Sequence, residues 1–218
     1  MTNLLPQIRA NLKVPIAAPK IHQVARDFYP EIKNLPIRDR DRLSTGLFAT
    51  RNFAEGAFVC YIYRRFAKHC GAREFKMFTS WLDNYVHNWD LTDGLSLWLL
   101  GASIANDATL IAKLDVWTRS KNRWKRRAAA VCLVYSAKHG EHTQAILRIA
   151  TPLIADEDDM VQKGVGWLLK ETYPKKPTEV AHFLIANRER TTRLVLRYAA
   201  EKMTAVDKAR VLARPAKG

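Results

Sequence analysis

The sequence predicts an all-α protein, a curved superhelix (α-solenoid) of stacked helical pairs, and three observations carry that reading. No proline interrupts the chain from Ile37 to Thr151. Apolar residues in that stretch recur at spacings of three and four instead of alternating, which is the period of helices and not of strands. Helix start and stop signals then cut the chain into segments of roughly 35 to 45 residues, each long enough for one helical pair, the unit of a solenoid.

The elements follow in order. The first 35 residues carry prolines at positions 6, 15, 19 and 30, and residues 1–36 read as a short helix followed by an irregular approach. The helical array occupies residues 37–203, with Asp39 before DRLSTGLFAT. Phe58 to Phe66, FVCYIYRRF, has strand propensity, but FKMFTSWLDNYV and LSLWLLGASI nearby are helical in pattern, so this run is assigned to helix as well. Ser120 precedes KNRWKRRAAAVCLVYSAK and Gly140 ends it. The acidic run Asp156 to Asp159 precedes MVQKGVGWLLKET, and Pro174 and Pro177 follow it. Residues 204–218 read as a basic tail, and residues 1–218 as a single domain.

Composition bounds the function. Of 218 residues, 48% are apolar and 26% charged, enough for a substantial core and unlike a disordered chain. No run approaches the roughly 20 apolar residues of a membrane span. The start, MTNLLPQIRANLK, lacks the apolar block of a signal peptide, so a cytoplasmic protein is expected. Cys60, Cys70 and Cys132 are odd in number and show no CxxC spacing, and the six histidines form no HExxH. The thiols therefore read as reduced and mostly buried, and no metal or other cofactor is expected. Thirty-six Lys and Arg against 21 Asp and Glu give +15 and a pI near 10. That balance points to a polyanion, nucleic acid first, although a membrane surface would select the same sign.

The placement of the charges narrows this. On the helix Met160 to Thr172, Val161, Val165, Leu168 and Leu169 share one side, while Trp167 lies opposite between Lys163 and Lys170. An indole among cations suits contact with a nucleic acid; packing against a next repeat is the alternative. In HNWDLTDGLSLWLL, Leu91, Leu95 and Trp98 share one side, and Trp89 and Asp93, four residues apart, share the other. A carboxylate on a DNA-facing surface repels phosphate, and catalysis gives a reason for it: it stabilises the cationic sugar formed as a glycosidic bond breaks and positions water. The alternative is that Asp90 and Asp93 support a helix N-terminus or pair with an arginine.

WTRSKNRWKRR crowds Arg119, Lys121, Arg123, Lys125, Arg126 and Arg127 at a helix start, where the dipole disfavours cations, so a polyanion contact competes with a solvated turn. In ERTTRLVLRYAAEKM, Arg190, Arg193 and Arg197 form a stripe opposite Leu196, Ala199 and Met203, unless they pair with Glu189 or Glu201. Three such basic faces on a curving solenoid line a concave groove for duplex DNA.

Three motifs stand in register. WDLTD at Trp89 to Asp93, WKRRAA at Trp124 to Ala129 and VQKGVGWLLKE at Val161 to Glu171 resemble, in order and spacing, the WDxVD, WxxRAA and xxKAIGWxLRE elements of the DNA alkylation repair glycosylases built of HEAT-like repeats, the AlkD-like family. The resemblance covers roughly Phe75 to Met203. It implies a superhelix of HEAT-like repeats, with the catalytic aspartate at Asp93, the lesion-flanking tryptophans at Trp89 and Trp167, and the DNA-contacting arginine at Arg127. It also implies excision of cationic N3- and N7-alkylpurines, such as 3-methyladenine and 7-methylguanine, and in some relatives bulky adducts. It implies duplex DNA as the substrate, in base excision repair and without base flipping; a monomer is expected, and no cofactor. Asn34 to Gly71 matches the family only loosely, and Thr92 stands where its pattern has valine. Because some relatives lack the catalytic residues, the rival is a noncatalytic helical-repeat module that binds nucleic acid or a protein partner.

Overall fold

Helix is the sole regular structure among the described residues, 4–13 and 15–213, of the computed structural model. The fold class expected from the periodicity is therefore the one formed. By its contacts the chain divides into two units, Met1–Ser103 and Ile104–Gly218.

The first unit holds α1 (Leu4–Asn11), α2 (Ala18–Ile32), α3 (Ile37–Phe48), α4 (Phe53–Arg64), α5 (Ala72–Asn84) and α6 (Trp89–Gly94), the last continued by a π-helical turn, Leu95–Leu100. Residues 1–36 are more regular than expected. Pro19 falls in the first turn of α2, where no backbone N–H is missed, and Pro30 near its end, so a 15-residue helix forms across both. Ile21, Val24, Ala25 and Ile32 give it a buried side. Helix α3 begins at Ile37, two residues before Asp39, with Pro36 as its N-cap. The run with strand propensity lies mostly in α4, started by Asn52, whose side chain accepts hydrogen bonds from the N–H groups of Ala54 and Glu55. Its Tyr63 stands at the centre of an aromatic core with Phe78 and Trp81, at ring separations of 5.3 and 5.6 Å. Tyr63 and Trp81 satisfy their polar ends on Asp41 (2.6 Å) and Thr45 (3.0 Å).

Helix α7 (Gly101–Asn106) carries the chain across the boundary. The second unit then holds α8 (Ala112–Trp117), α9 (Arg123–Val131), α10 (Val134–His139), α11 (Thr143–Leu153), α12 (Asp159–Thr172), α13 (Pro177–Ala186), α14 (Arg193–Ala199) and α15 (Ala205–Leu212). Helix α12 is its centre, packed on α9 and α14. Small residues permit that closeness: α9 offers Ala128, Ala129 and Ala130, all fully buried. Gly166 lies so near α14 that a Cβ there would sit 2.5 Å from the Cβ of Tyr198. Gly140 ends α10 with φ +76°, as its position predicts. The segment read as a basic tail contains α15, capped by Thr204 and held by the buried Val211; residues 214–218 lie outside the described ones. No helix among the described residues is long and apolar enough to cross a membrane. The three cysteines are buried thiols.

Candidate active site and cationic surface

In the first unit the site is built on α6. The Asn88 side chain accepts from the N–H of Leu91 at 2.9 Å and fixes where the helix begins. Leu91 then faces inward onto Gly56 of α4, where a Cβ would come within 2.8 Å of its side chain. Thr92 is fully buried, and its hydroxyl donates to the Asn88 carbonyl at 2.6 Å. That bond explains how a hydroxyl replaces a methyl at this position without leaving a buried polar group unsatisfied. With 91 and 92 turned inward, Trp89 is 48% exposed and Asp93 half-buried, one helical turn apart on the outer side, as the spacing predicts. Removal from water and then the charge of Asp93 push the carboxyl of exposed Asp90 above its ordinary range.

Trp98 lies within the π-helical turn that follows α6. It sits half-buried over Gly94, 5.3 Å from the ring of Tyr61, with the guanidinium of Arg64 5.0 Å from its centroid. Tyr61 in turn meets His22 at 4.7 Å. Beneath Gly94 lies Cys60, whose thiol burial pushes up to about 12.

In the second unit Val161, Val165, Leu168 and Leu169 are fully buried and Trp167 is half-buried on another side of α12, in keeping with the sequence reading. The flanking cations are not open charges: Lys163 pairs with Asp159 at 2.9 Å and Lys170 with Glu201 at 2.8 Å. The start of α9 is similar. Its N-cap is Asn122, not Ser120, because the Asn122 side chain accepts from the N–H of Trp124 at 2.9 Å, while Ser120 accepts from Asn122. From that start Arg126 reaches the Asp156 carboxylate through two hydrogen bonds of 2.6 and 3.0 Å and donates to the Ser120 carbonyl. Arg123 pairs with Asp158 at 2.8 Å and lies over the ring of Trp124. Arg127 is only 6% exposed; its guanidinium donates to the Met160 carbonyl and its side chain packs under Gly164. Arg123 and Arg126, expected on a DNA face, are thus first of all partners of the acidic start of α12, and Arg127 braces the same turn through a carbonyl. Lys121 remains exposed.

The arginine stripe also needs correction. Thr192 caps α14, so Arg190 precedes the helix and lies in the turn before it, exposed, donating to the Thr151 carbonyl at 3.5 Å. Arg193 turns toward the carbonyl of Leu212 at 3.0 Å. Arg197 is exposed opposite buried Leu196, Ala199 and Met203. Glu201 is taken by Lys170 and not by an arginine. What the sequence missed was Asp156 as the partner of Arg126; the run of four acids from Asp156 to Asp159, 30 residues beyond the basic segment, was the available signal.

No group of three or more His, Cys, Asp or Glu among the described residues is arranged to hold a metal. What the first unit offers chemically is an exposed indole and a carboxylate side by side, able to cover an apolar face and oppose a developing positive charge.

Residues 14–203 match the model of the family described as DNA alkylation repair enzyme. No curated protein matches the chain. Among solved structures the fold is similar to a predicted DNA alkylation repair enzyme from Enterococcus faecalis (TM-score 0.74, 14% identity, covering 92% of each chain). It is also similar to AlkD2 from Streptococcus mutans (TM-score 0.69, 15% identity, covering 92% of this chain and 98% of that one). A third similar structure is smu.31 from Streptococcus mutans UA159 (TM-score 0.64, 15% identity, 86% and 99%).

Proposed function

The chain belongs to the family of DNA alkylation repair enzymes, and on that premise we propose that it is a monofunctional glycosylase hydrolysing the N-glycosidic bond of cationic N3- and N7-alkylated purines in duplex DNA. The observation that carries this reading is the pair Trp89 and Asp93 on the outer side of α6. Alkylation gives the purine a positive charge, so the C1′–N bond breaks with its electron pair passing to a base that leaves neutral. The sugar left behind is electron-poor. Asp93 opposes that charge and orients the water whose oxygen adds to C1′ and whose proton is lost, and Trp89 supplies an aromatic face. Trp167 is assigned a second van der Waals contact to the damaged nucleotide.

A normal base, being neutral, is a poor leaving group and stays attached. Selectivity then comes from the lability of the lesion and not from an enclosing pocket, which requires no base flipping and leaves room for bulky adducts. A net charge of +15 supports attraction to duplex DNA, with exposed Lys121, Arg190 and Arg197 as the leading phosphate contacts. Arg127, being buried, is assigned to holding the first turn of α12 in place at the DNA surface. The protein acts as an intracellular monomer without a cofactor.

Incubation with chemically methylated duplex DNA tests this reading. Free 3-methyladenine or 7-methylguanine in the supernatant is the expected result. Tight binding with no base released contradicts it and identifies a noncatalytic DNA-binding module.

A further inference from the structure

Two sets of aromatic residues in the first unit treat their polar ends differently. In the core, the Tyr63 hydroxyl and the Trp81 indole are satisfied on Asp41 and Thr45. A second set lies at the surface: His22 of α2, Tyr61 and Arg64 of α4, and Trp98 of the π-helical turn. The rings follow one another at centroid separations of 4.7 and 5.3 Å, and the Arg64 guanidinium lies 5.0 Å from the centre of Trp98. His22 and Arg64 are exposed, Tyr61 and Trp98 half-buried. Among the described residues, none hydrogen-bonds to the imidazole, the phenol hydroxyl, the indole N–H or the guanidinium of this set, and no carboxylate lies within 4 Å of Arg64.

Position gives this surface a direction. Gly94 follows Asp93 directly, and the edge of the Trp98 ring lies 3.9 Å from where a Cβ on Gly94 would sit, so the row of rings starts one residue from the candidate catalytic carboxylate. A phosphodiester is repelled by Asp90 and Asp93 and accepts from N–H and O–H donors, so a strand whose sugar faces Asp93 needs its donors beside the carboxylates. The path along the three rings is at most about 10 Å, roughly three nucleotide steps at about 3.4 Å each. Ring faces offer deoxyribose an apolar bed, and a guanidinium, planar and rich in N–H donors, matches the geometry of phosphate oxygens.

We propose that His22, Tyr61, Arg64 and Trp98 form a contact surface for the sugar-phosphate backbone of one DNA strand, the short stretch that flanks the damaged nucleotide. The choice of DNA, and of a damaged nucleotide at Asp93, rests on the function proposed above. Affinity for an undamaged, fully paired duplex is measured across a salt series for the parent, Arg64→Gln, Arg64→Lys and Tyr61→Phe, the last of which keeps the ring stack. Arg64→Gln is expected to flatten the slope of log affinity against log salt by about 0.9, one phosphate contact, and Arg64→Lys, which keeps the charge, to restore it. Tyr61→Phe is expected to weaken binding about three- to tenfold with the slope unchanged, since a neutral hydroxyl displaces no counterion. A parent-like slope for Arg64→Gln together with parent-like affinity for Tyr61→Phe overturns the proposal, as does a parent that binds no duplex. A flattened slope that Arg64→Lys leaves flattened also overturns it, because the charge is then not what was lost. Release of 7-methylguanine by the parent, measured on the same preparation, reports on the glycosylase reading separately: the expected binding changes without release keep this surface and remove that reading.

Discussion

Helix α6 of the first unit and the basic segment around α9 of the second both attract attention in the sequence, yet they meet opposite fates in the fold. On α6 Leu91 and Thr92 turn inward, and Trp89 is exposed and Asp93 half-buried on the outer side. On α9 the conspicuous arginines are consumed internally, Arg126 by Asp156, Arg123 by Asp158 and Arg127 by the Met160 carbonyl. A cluster of charge in sequence therefore says little about exposed charge until its partners are known. An aromatic beside a carboxylate on a short helix, with the buried positions accounted for, says more.

The comparison is sharpened first by removing the acid that captures the basic segment. Asp156→Ala leaves the largely buried Arg126 without its carboxylate and is expected to destabilise the protein by about 3 kcal/mol, the lower range for breaking a buried pair. Denaturant unfolding measures this, and a loss under about 1 kcal/mol would mean that Arg126 is as solvated as a surface charge. Next comes Gly166→Ala, whose added methyl meets Tyr198; a loss of about 1 to 3 kcal/mol is expected from overpacking α12 against α14. An unchanged melting temperature would show that the two helices separate at little cost.

A smaller effect distinguishes exposed from captured cations. Lys121→Ala should flatten the salt dependence of DNA binding by about 0.9, one phosphate contact. Arg126→Ala should leave that slope alone while lowering the melting temperature. The reverse pattern would return Arg126 to the DNA surface. The smallest effect belongs to Thr92→Val, which removes the hydroxyl bond to Asn88 but gains a buried methyl. Stability is expected to change by less than about 1 kcal/mol, with base release unaffected.

Much of the fold was legible in the sequence because helical periodicity is local. The strand-prone run Phe58 to Phe66 was assigned to helix from its neighbours, and its buried Phe58, Val59, Ile62 and Tyr63 bear that out. Pro19 and Pro30 misled the reading of the first 36 residues, since a proline in the first turn is compatible with a helix and position within the turn was not resolved from composition. Ser120 and Asn122 are both competent caps two residues apart, and local sequence does not rank them. The pairing of Arg126 with Asp156 spans 30 residues, and no local rule reaches that far. For the candidate active site, spacing alone placed Trp89 and Asp93 together, whereas the π-helical turn at Leu95–Leu100 left no mark in the pattern.

Single-turnover release of 7-methylguanine from methylated duplex DNA by Asp93→Asn, with DNA affinity measured on the same preparation, bears most directly on the proposed chemistry. The account predicts a rate lowered by about 10² to 10⁴ with affinity retained. A variant that binds normally and releases base as fast as the parent would remove Asp93 from the reaction and the glycosylase mechanism with it.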